Sequence, residues 1–343
     1  MITVFDEVQR LHAPQGYIVA GKLQPSPERP DRIDALMQGV ARLGGPIVRP
    51  PAIRRERLEL VHTPRYLDFL ENVWTRWSRL PDAGPYPVPN IHALGRSTLA
   101  EVSYPDGVVG QCGYHLGDGS CPITAETWGS ALASASSAAH AADLLLGGEK
   151  LVYALCRPPG HHAAADVAAG FCYISNSALA AGILNKAGRR VAILDIDVHH
   201  GNGTEAVFYE RADVLTVSLH AETQRFYPFF WGYATERGRG AGEGFNLNLP
   251  LPRGTTLAEY RKALDVAFAR IAKFAPDTLV IAAGLDISID DPFKAFAIET
   301  EGFNAIGRAI AALKLPMLVV QEGGYPSPSL GANLAELLGG LGA

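Results

Sequence analysis

No stretch of the sequence approaches the roughly 20 consecutive apolar residues that a bilayer-spanning helix needs, which excludes a helical membrane protein. Cysteine is scarce. The four present, Cys112, Cys121, Cys156 and Cys172, include no Cys-x-x-Cys spacing, and the acidic start MITVFDEVQR has no secretory-signal pattern, so a reducing cytoplasmic setting is expected. Basic blocks are also missing: 30 Lys+Arg stand against 35 Asp+Glu, a formal charge of −5, and no clustered stripe could neutralise phosphates, which excludes nucleic acid as a partner. A cationic ligand is mildly favoured by that charge. There is no low-complexity tract and no repeat of solenoid length.

What is present reads as a folded α/β chain. Hydrophobic residues make up 48% of the 343 and charged residues 19%, enough for a large core. Apolar runs rich in β-branched residues recur: ITVF, LVYALC, VAILDIDV, VLTVSLH, TLVIAAGLD and MLVVQEGG. Unbroken apolar strands are buried on both faces. Between them lie amphipathic stretches such as TWGSALASASSAAHAADLLL, NSALAAGILNKAG and LAEYRKALDVAFARIAKFA, which predict helices. The alternation predicts a mostly parallel sheet with helices on both sides. One segment breaks it: of the 44 residues from Pro81 to Thr124, 13 are Pro or Gly, and its aromatic residues favour an ordered covering loop.

Function in such sheets collects at the carboxyl ends of the strands. RPPGHH, DIDVHHGNGT, LDISIDDP and QEGGY each follow a strand-like run. On an extended chain Asp195, Asp197 and His199 share one side, where crowded carboxylates and an imidazole call for a cation. A catalytic metal needs three protein ligands; Asp197 and His199 supply two, and Asp286, directly after TLVIAAGL, is the acidic residue placed to be the third. Asp290 and Asp291 read as solvated or turn-forming. Such a set suits Zn2+, with Fe2+, Mn2+ or Co2+ as competitors. His161 and His162, held by a Pro-Pro-Gly turn, can supply a general base, with Asp195 as partner for His161 and Asn202 for His162. Gly323 and Gly324 permit a sharp turn that aims the Tyr325 hydroxyl at the rim, as a donor to a developing oxyanion. These parts describe metal-assisted hydrolysis of an amide or ester.

RPPGHH, GFCY, LDIDVHHGNGT, GLD and EGGY, in that order between Pro27 and Leu338, resemble the arginase/deacetylase superfamily and within it the histone-deacetylase-like amidohydrolases. The ENVWTRW, PFFWGYA and DDPFKAF segments and the Pro/Gly-rich insertion look most like the bacterial acetylpolyamine amidohydrolase group. The resemblance implies a single three-layer domain over residues 1–343 with an eight-stranded, mostly parallel sheet. It also implies deacetylation of a small cationic acetylated amine, most of all an acetylpolyamine, with an acyl-lysine protein or peptide as the alternative substrate. By motif position Asp197, His199 and Asp286 would hold Zn2+. His162 would be the main general base and acid, His161 with Asp195 chiefly electrostatic, and Tyr325 the carbonyl-polarising residue.

A structural K+ is implied at Asp195, Asp197, His199, Ser218 and Leu219, and Arg32 at the floor of the catalytic tunnel. Gly170, Phe171 and Phe226 or Tyr227 would flank the acyl chain. Members of the group are similar in forming homodimers whose insertion, here 81–124, narrows the entrance. Ser120 and Gly107 stand where polyamine enzymes carry acidic residues, so Asp118, Asp106 or Glu126 is expected to face the cation instead. Asn202 replaces the Asp of some relatives, which leaves His162 more readily neutral.

Two rivals have distinct signatures. An arginase-like ureohydrolase wants Asp-x-His-x-Asp for two Mn2+ ions, whereas this chain has Asp-x-Asp-x-His and ligands for one. A non-catalytic acyl-amine binding protein should carry a lesion among the ligands, the tandem histidines or Tyr325, and none is visible.

Overall fold

β-branched and apolar side chains crowd every central strand, so these strands can be covered only by helices on both faces. The computed structural model describes residues 1–93 and 103–343; the insertion expected at 81–124 therefore falls partly, at 94–102, outside the described residues. Its strands are β1 (Ile2–Val4), β2 (Gly16–Val19), β3 (Lys22–Pro25), β4 (Ile47–Val48), β5 (Leu151–Ala154), β6 (Val191–Asp195), β7 (Val214–Ala221), β8 (Asn246–Leu251), β9 (Thr278–Ala283) and β10 (Met317–Gln321). The helices are α1 (Asp31–Leu43), α2 (Arg55–Leu58), α3 (Pro64–Trp77), α4 (Val108–His115), α5 (Thr127–Leu146), α6 (Asn176–Lys186), α7 (Asn202–Phe208), α8 (Leu257–Phe274), α9 (Thr300–Ala311) and α10 (Leu330–Leu341).

Eight strands form one parallel sheet in the order β4-β1-β5-β10-β9-β6-β7-β8, and β2 pairs with β3 as a separate antiparallel hairpin. From β5 the chain crosses to β6, builds outward to β8, then returns to insert β9 and β10 into the gap it left. Successive residues of a strand face opposite sides, and two cores result. Val191 and Ile193 of β6, with Val280 of β9, pack against Leu67 of α3, Ala138 of α5 and Leu179 of α6. Ala192, Leu194 and Ile281 meet Ile33 of α1, Leu264 of α8, Phe303 of α9 and Leu334 of α10 on the other side. Among the described residues no helix is long and apolar enough to cross a membrane.

Local sequence accounts for some boundaries. Thr256 and Glu259 form a reciprocal capping box at the start of α8, and Ala275 ends that helix in the left-handed region. Three features escape the sequence pattern. β8 alternates Asn246 and Asn248 with leucines and contains Pro250, which the last strand of a sheet tolerates because one side of its ladder is unpaired. The β2–β3 hairpin is exposed along β3 and so lacks an apolar signature. Within the insertion α4 forms around Val108 and Cys112, both buried in the first core, although the segment shows no clear helical period.

Two glycines test the packing. A Cβ at Gly331 of α10 would lie 2.3 Å from the carbonyl oxygen of Ala35 in α1, whereas one at Gly129 in α5 meets nothing within 4 Å. Gly331→Ala is expected to destabilise the fold by about 1–3 kcal/mol, and Gly129→Ala to stabilise it by about 0.5 kcal/mol through helix propensity. Urea unfolding midpoints of the two variants check both signs.

Candidate active site

β6 leaves the ladder at Asp195, and side chains then replace ladder partners. Asp195 Oδ1 accepts from Asp197 N at 3.0 Å, Asp197 Oδ1 from His199 N at 2.8 Å, and Asp286 Oδ1 from Val198 N at 2.9 Å. The expectation of an extended strand through His199 is thereby corrected: residues 196–200 bend, because carboxylates in their midst capture the amides that an extended strand would spend on neighbours. The bend still gathers the three ligand-type side chains. Ligand atoms of Asp197, His199 and Asp286 lie within 4.8 Å of one another, and all three residues are buried. His199 Nδ1 is 3.2 Å from Asp197 Oδ1 and 3.1 Å from Asp286 Oδ2.

Electrostatics favour a cation among them. Burial and the charge of Asp197 push the Asp286 carboxyl up to about 6. Burial opposes charge on His199, yet the hydrogen bonds and charges of Asp197 and Asp286 raise it to about 9. Two buried carboxylates thus compete for positive charge, and a divalent ion fits such a donor set. The surrounding backbone leaves no room for anything larger than glycine. A Cβ at Gly323 would fall 2.3 Å from Asp286 Oδ2 and 2.5 Å from Asp197 Oδ2; one at Gly284 would fall 2.3 Å from Asp197 Oδ2.

The RPPGHH turn, after β5, is fastened from below. Glu322, at the end of β10, accepts from Gly160 N at 2.6 Å, from His161 N at 3.0 Å and from the Ser177 hydroxyl at 2.6 Å. His161 Nδ1 lies 2.9 Å from Asp195 Oδ2, and His162 Nδ1 lies 2.7 Å from Asn202 Oδ1. The two imidazoles, with centroids 4.0 Å apart, differ in charge preference. Burial opposes a proton on His161, but Asp197 and Asp195 outweigh it and raise its pKa to about 10. Burial, then the positive fields of His161 and His199, hold His162 well below the usual imidazole range.

Tyr325 is positioned by its backbone. Its amide donates to Asp291 Oδ2 at 3.0 Å, while Asp291 Oδ1 accepts from Phe293 N at 2.9 Å. Asp290 is exposed, but Asp291 is only 1% exposed, so its reading as a solvated residue is corrected: its turn folds inward and spends both oxygens on amides. Arg32 is buried beneath the EGGY turn, donating to Gly324 O and Glu322 O at 2.6 Å each and to Glu28 Oε1 at 2.8 Å, with its guanidinium 5.0 Å from the Tyr325 ring centroid.

A cavity of about 150 Å3 opens over these groups. His162, His199 and Tyr325 line it, with walls from Tyr17, Phe171, Tyr227 and Phe293 and further contacts from Val19, Ser120, Gly170 and Phe229. Of the alternative pair, Tyr227 is on the wall; Phe226 stacks face to face on His199, centroids 4.8 Å apart, and is not part of the lining. Asp118 lies behind the wall, held by amides and the Tyr227 hydroxyl, while Asp106 and Glu126 are exposed away from the cavity. Ser218 sits opposite Asp195 in the β6–β7 ladder, with Leu219 following it. Sequence reasoning singled out neither Phe293 nor Tyr17, nor the anchoring carboxylate Glu322, and it read Asp291 as solvated or turn-forming rather than as an anchor. Phe293 could have been found from its place in the loop after β9; Tyr17 sits on a hairpin that carries no signal.

Known proteins resemble the chain along its whole length. The model of the histone deacetylase domain matches residues 26–341. The chain is 42% identical over 344 residues to the acetylpolyamine amidohydrolase of Burkholderia pseudomallei (strain 1710b), covering 100% of this chain and 99% of that one. It is 41% identical over 342 residues to acetylpolyamine amidohydrolase 1 of Pseudomonas aeruginosa, covering 99% and 98%. The crystal structure of acetylpolyamine aminohydrolase from Burkholderia pseudomallei superposes with a TM-score of 0.95 at 43% identity, covering 100% of this chain and 99% of that one.

If the cradle around the carboxylates is needed for a metal, then Gly323→Ala and Gly284→Ala should bind far less of it. Elemental analysis of folded protein should find about one divalent ion per chain in the wild type and a marked deficit in both variants. Two Mn2+ ions per chain would instead revive the ureohydrolase reading.

Proposed function

We propose, from the premise that the chain belongs to the histone deacetylase domain family, that it hydrolyses the amide of a small acetylated amine, an acetylpolyamine first, as a single catalytic domain spanning residues 1–343. The observation that carries this reading is the slender aromatic cavity that brings His162 and Tyr325 together over the Asp197, His199 and Asp286 cluster. Those three residues would hold Zn2+, or Fe2+, Co2+ or Mn2+ in its place. When bound, the ion supplies Lewis acidity to the amide carbonyl and to a water molecule.

The remaining work belongs to the chain. His162, kept neutral by burial and oriented through Asn202, takes the proton of the attacking water and returns it to the leaving amine. His161, kept protonated by Asp197 and Asp195, contributes positive charge nearby. The Tyr325 hydroxyl donates to the carbonyl oxygen as negative charge grows on it. Tyr17, Phe171, Tyr227 and Phe293 present apolar surface to a polymethylene stem. A K+ ion would bind near the ends of β6 and β7 at Asp195, Asp197, His199, Ser218 and Leu219, and Arg32 would close the floor. The 81–124 segment would be an entrance and homodimer element: the Tyr86 hydroxyl accepts from Gln15 N at 2.7 Å, beside the hairpin that carries Tyr17. A cytoplasmic setting suits four buried free thiols.

A second reading, hydrolysis of acyl-lysine in a peptide, is favoured by the absence of any carboxylate among the described residues lining the cavity. Side-by-side kcat/KM values for N-acetylputrescine, acetylcadaverine, N8-acetylspermidine and an acetyl-lysine peptide separate the two. A polyamine should lead; a peptide preferred over every polyamine would overturn the substrate, and no turnover after reconstitution with Zn2+, Co2+ or Fe2+ would overturn the enzyme.

Two substitutions probe the proposed roles. Tyr325→Phe should lower kcat by about 100-fold to 1,000-fold with little change in metal content. Asn202→Asp places a negative charge beside His162 and raises its pKa, so the fraction in the base form falls at low pH. The ascending limb of the kcat/KM profile should move to higher pH by about one unit, and an unmoved limb counts against His162 as the base.

A further inference from the structure

We propose that Asp118 is a positioning residue that ties the aromatic wall of the cavity to His162, and that it does not dock the substrate's cation. This rests on the deacetylase reading above for its kinetic consequence, though its geometry stands independently. Asp118 precedes the wall residue Ser120 and follows α4, where a negative group for an amine would be welcome. Its oxygens are already in use. Oδ1 accepts from Ser120 N at 2.8 Å; Oδ2 accepts from Gly170 N at 3.0 Å and from the Tyr227 hydroxyl at 2.5 Å.

These three donors belong to three separate segments: the end of the Pro/Gly-rich insertion, the GFCY turn and the loop after β7. Each segment contributes to the cavity wall, through Ser120, through Gly170 and Phe171, and through Tyr227 and Phe229. The first two are also joined directly, since Phe171 N donates to Ser120 O at 3.1 Å. One carboxylate therefore sets the mutual spacing of three walls.

The same tie reaches the proposed base. The Tyr227 ring stands edge-on to His162, centroids 4.9 Å apart and planes at 86°. Gly170 fills the corner between them: a Cβ there would lie 2.3 Å from His162 Cδ2 and 2.9 Å from the Tyr227 hydroxyl oxygen, and its φ of +54° favours glycine. Among the described residues no other hydrogen bond holds the phenol in that corner, and without Asp118 the ring would be free to turn into the slot for the acyl chain. Burial and Asp118 both keep Tyr227 a neutral phenol, so the bond is a hydroxyl donating to a carboxylate. Bonds of that charge-assisted kind are about twice as strong as neutral ones.

The test uses the metal-loaded full chain, with N-acetylputrescine and its uncharged analogue N-pentylacetamide as substrates. Asp118→Ala and Tyr227→Phe should each raise KM about 10-fold for both substrates, with kcat changed less, because one charge-assisted hydrogen bond is lost and the wall loosens. The double variant should be no worse than either single one, since both remove the same bond. Asp118→Asn, which keeps an acceptor for the phenol, should raise KM less than Asp118→Ala does. If Asp118→Asn impairs only the cationic substrate, Asp118 reads the cation directly and the proposal falls. Additive losses in the double variant, or lowered thermal midpoints with an unchanged KM, also overturn it. A crystal structure of Asp118→Ala supplies a readout apart from turnover: Tyr227 should leave the His162 corner, and an unmoved Tyr227 refutes the tie. A wild type that turns over neither substrate would sink the deacetylase reading while leaving that structural result decisive for Asp118.

Discussion

Loops from four strands close around the carboxylate of Asp197, which is fully buried. Its Oδ1 receives His199 N, its Oδ2 receives Gly323 N at 2.8 Å, and His161 Nε2 stands 3.8 Å from it. An isolated charge in such a place would cost many kcal/mol. It is tolerated because amides from its own bend and from the EGGY turn point at it, and because His199, His161 and a fitting cation offset its charge. That demand explains why Gly284 and Gly323 carry no side chain: any carbon there would displace the oxygens themselves. The rim is built inward from this one group.

The same chemistry recurs around it. Asp286, Asp291, Glu322 and Asp118 each accept from backbone amides of a neighbouring segment, and Asp195 from the amide of Asp197 in its own bend. Past the ends of β5, β6, β9 and β10 the ladder can no longer satisfy the main chain, so carboxylates do. Function and folding thus draw on one set of bonds: the groups that anchor the tandem histidines, Tyr325 and the aromatic wall also satisfy the loops that carry them. A rim held this way is stiff, and stiffness keeps donors and bases in place without reorganisation.

Much of the fold could be read directly. VAILD and TLVIAA are too apolar and β-branched to be anything but central strands, and the Ala/Leu-rich segments match α5, α6 and α8. β8 could not, because its inward Asn246 and Asn248 serve a buried polar cluster with Glu205 rather than an apolar core. The polar residues at strand ends were conspicuous because charge directly after a buried strand needs a partner. Residues that matter by contact alone gave no such sign: Tyr17 looks like any exposed hairpin tyrosine, and Phe226 and Tyr227 are neighbours whose separate fates, behind His199 and along the cavity, depend on the turn between them.

The sequence by itself determined the fold class, the residue types of the candidate site and its motif order, since periodicity and local chemistry are properties of short segments. Tertiary structure alone decided which oxygens remained available. Asp291 and Asp118 are acidic residues of the kind that face solvent or substrate, yet both turn inward to hold amides. For Asp291 the reason is that β10 enters the middle of the sheet last and brings the amide of Tyr325 beside it; for Asp118 it is that the loops after β5 and β7 bring Gly170 N and the Tyr227 hydroxyl. Whether a carboxylate there anchors the chain or meets a ligand depends on which donors arrive beside it, and those come from distant strands.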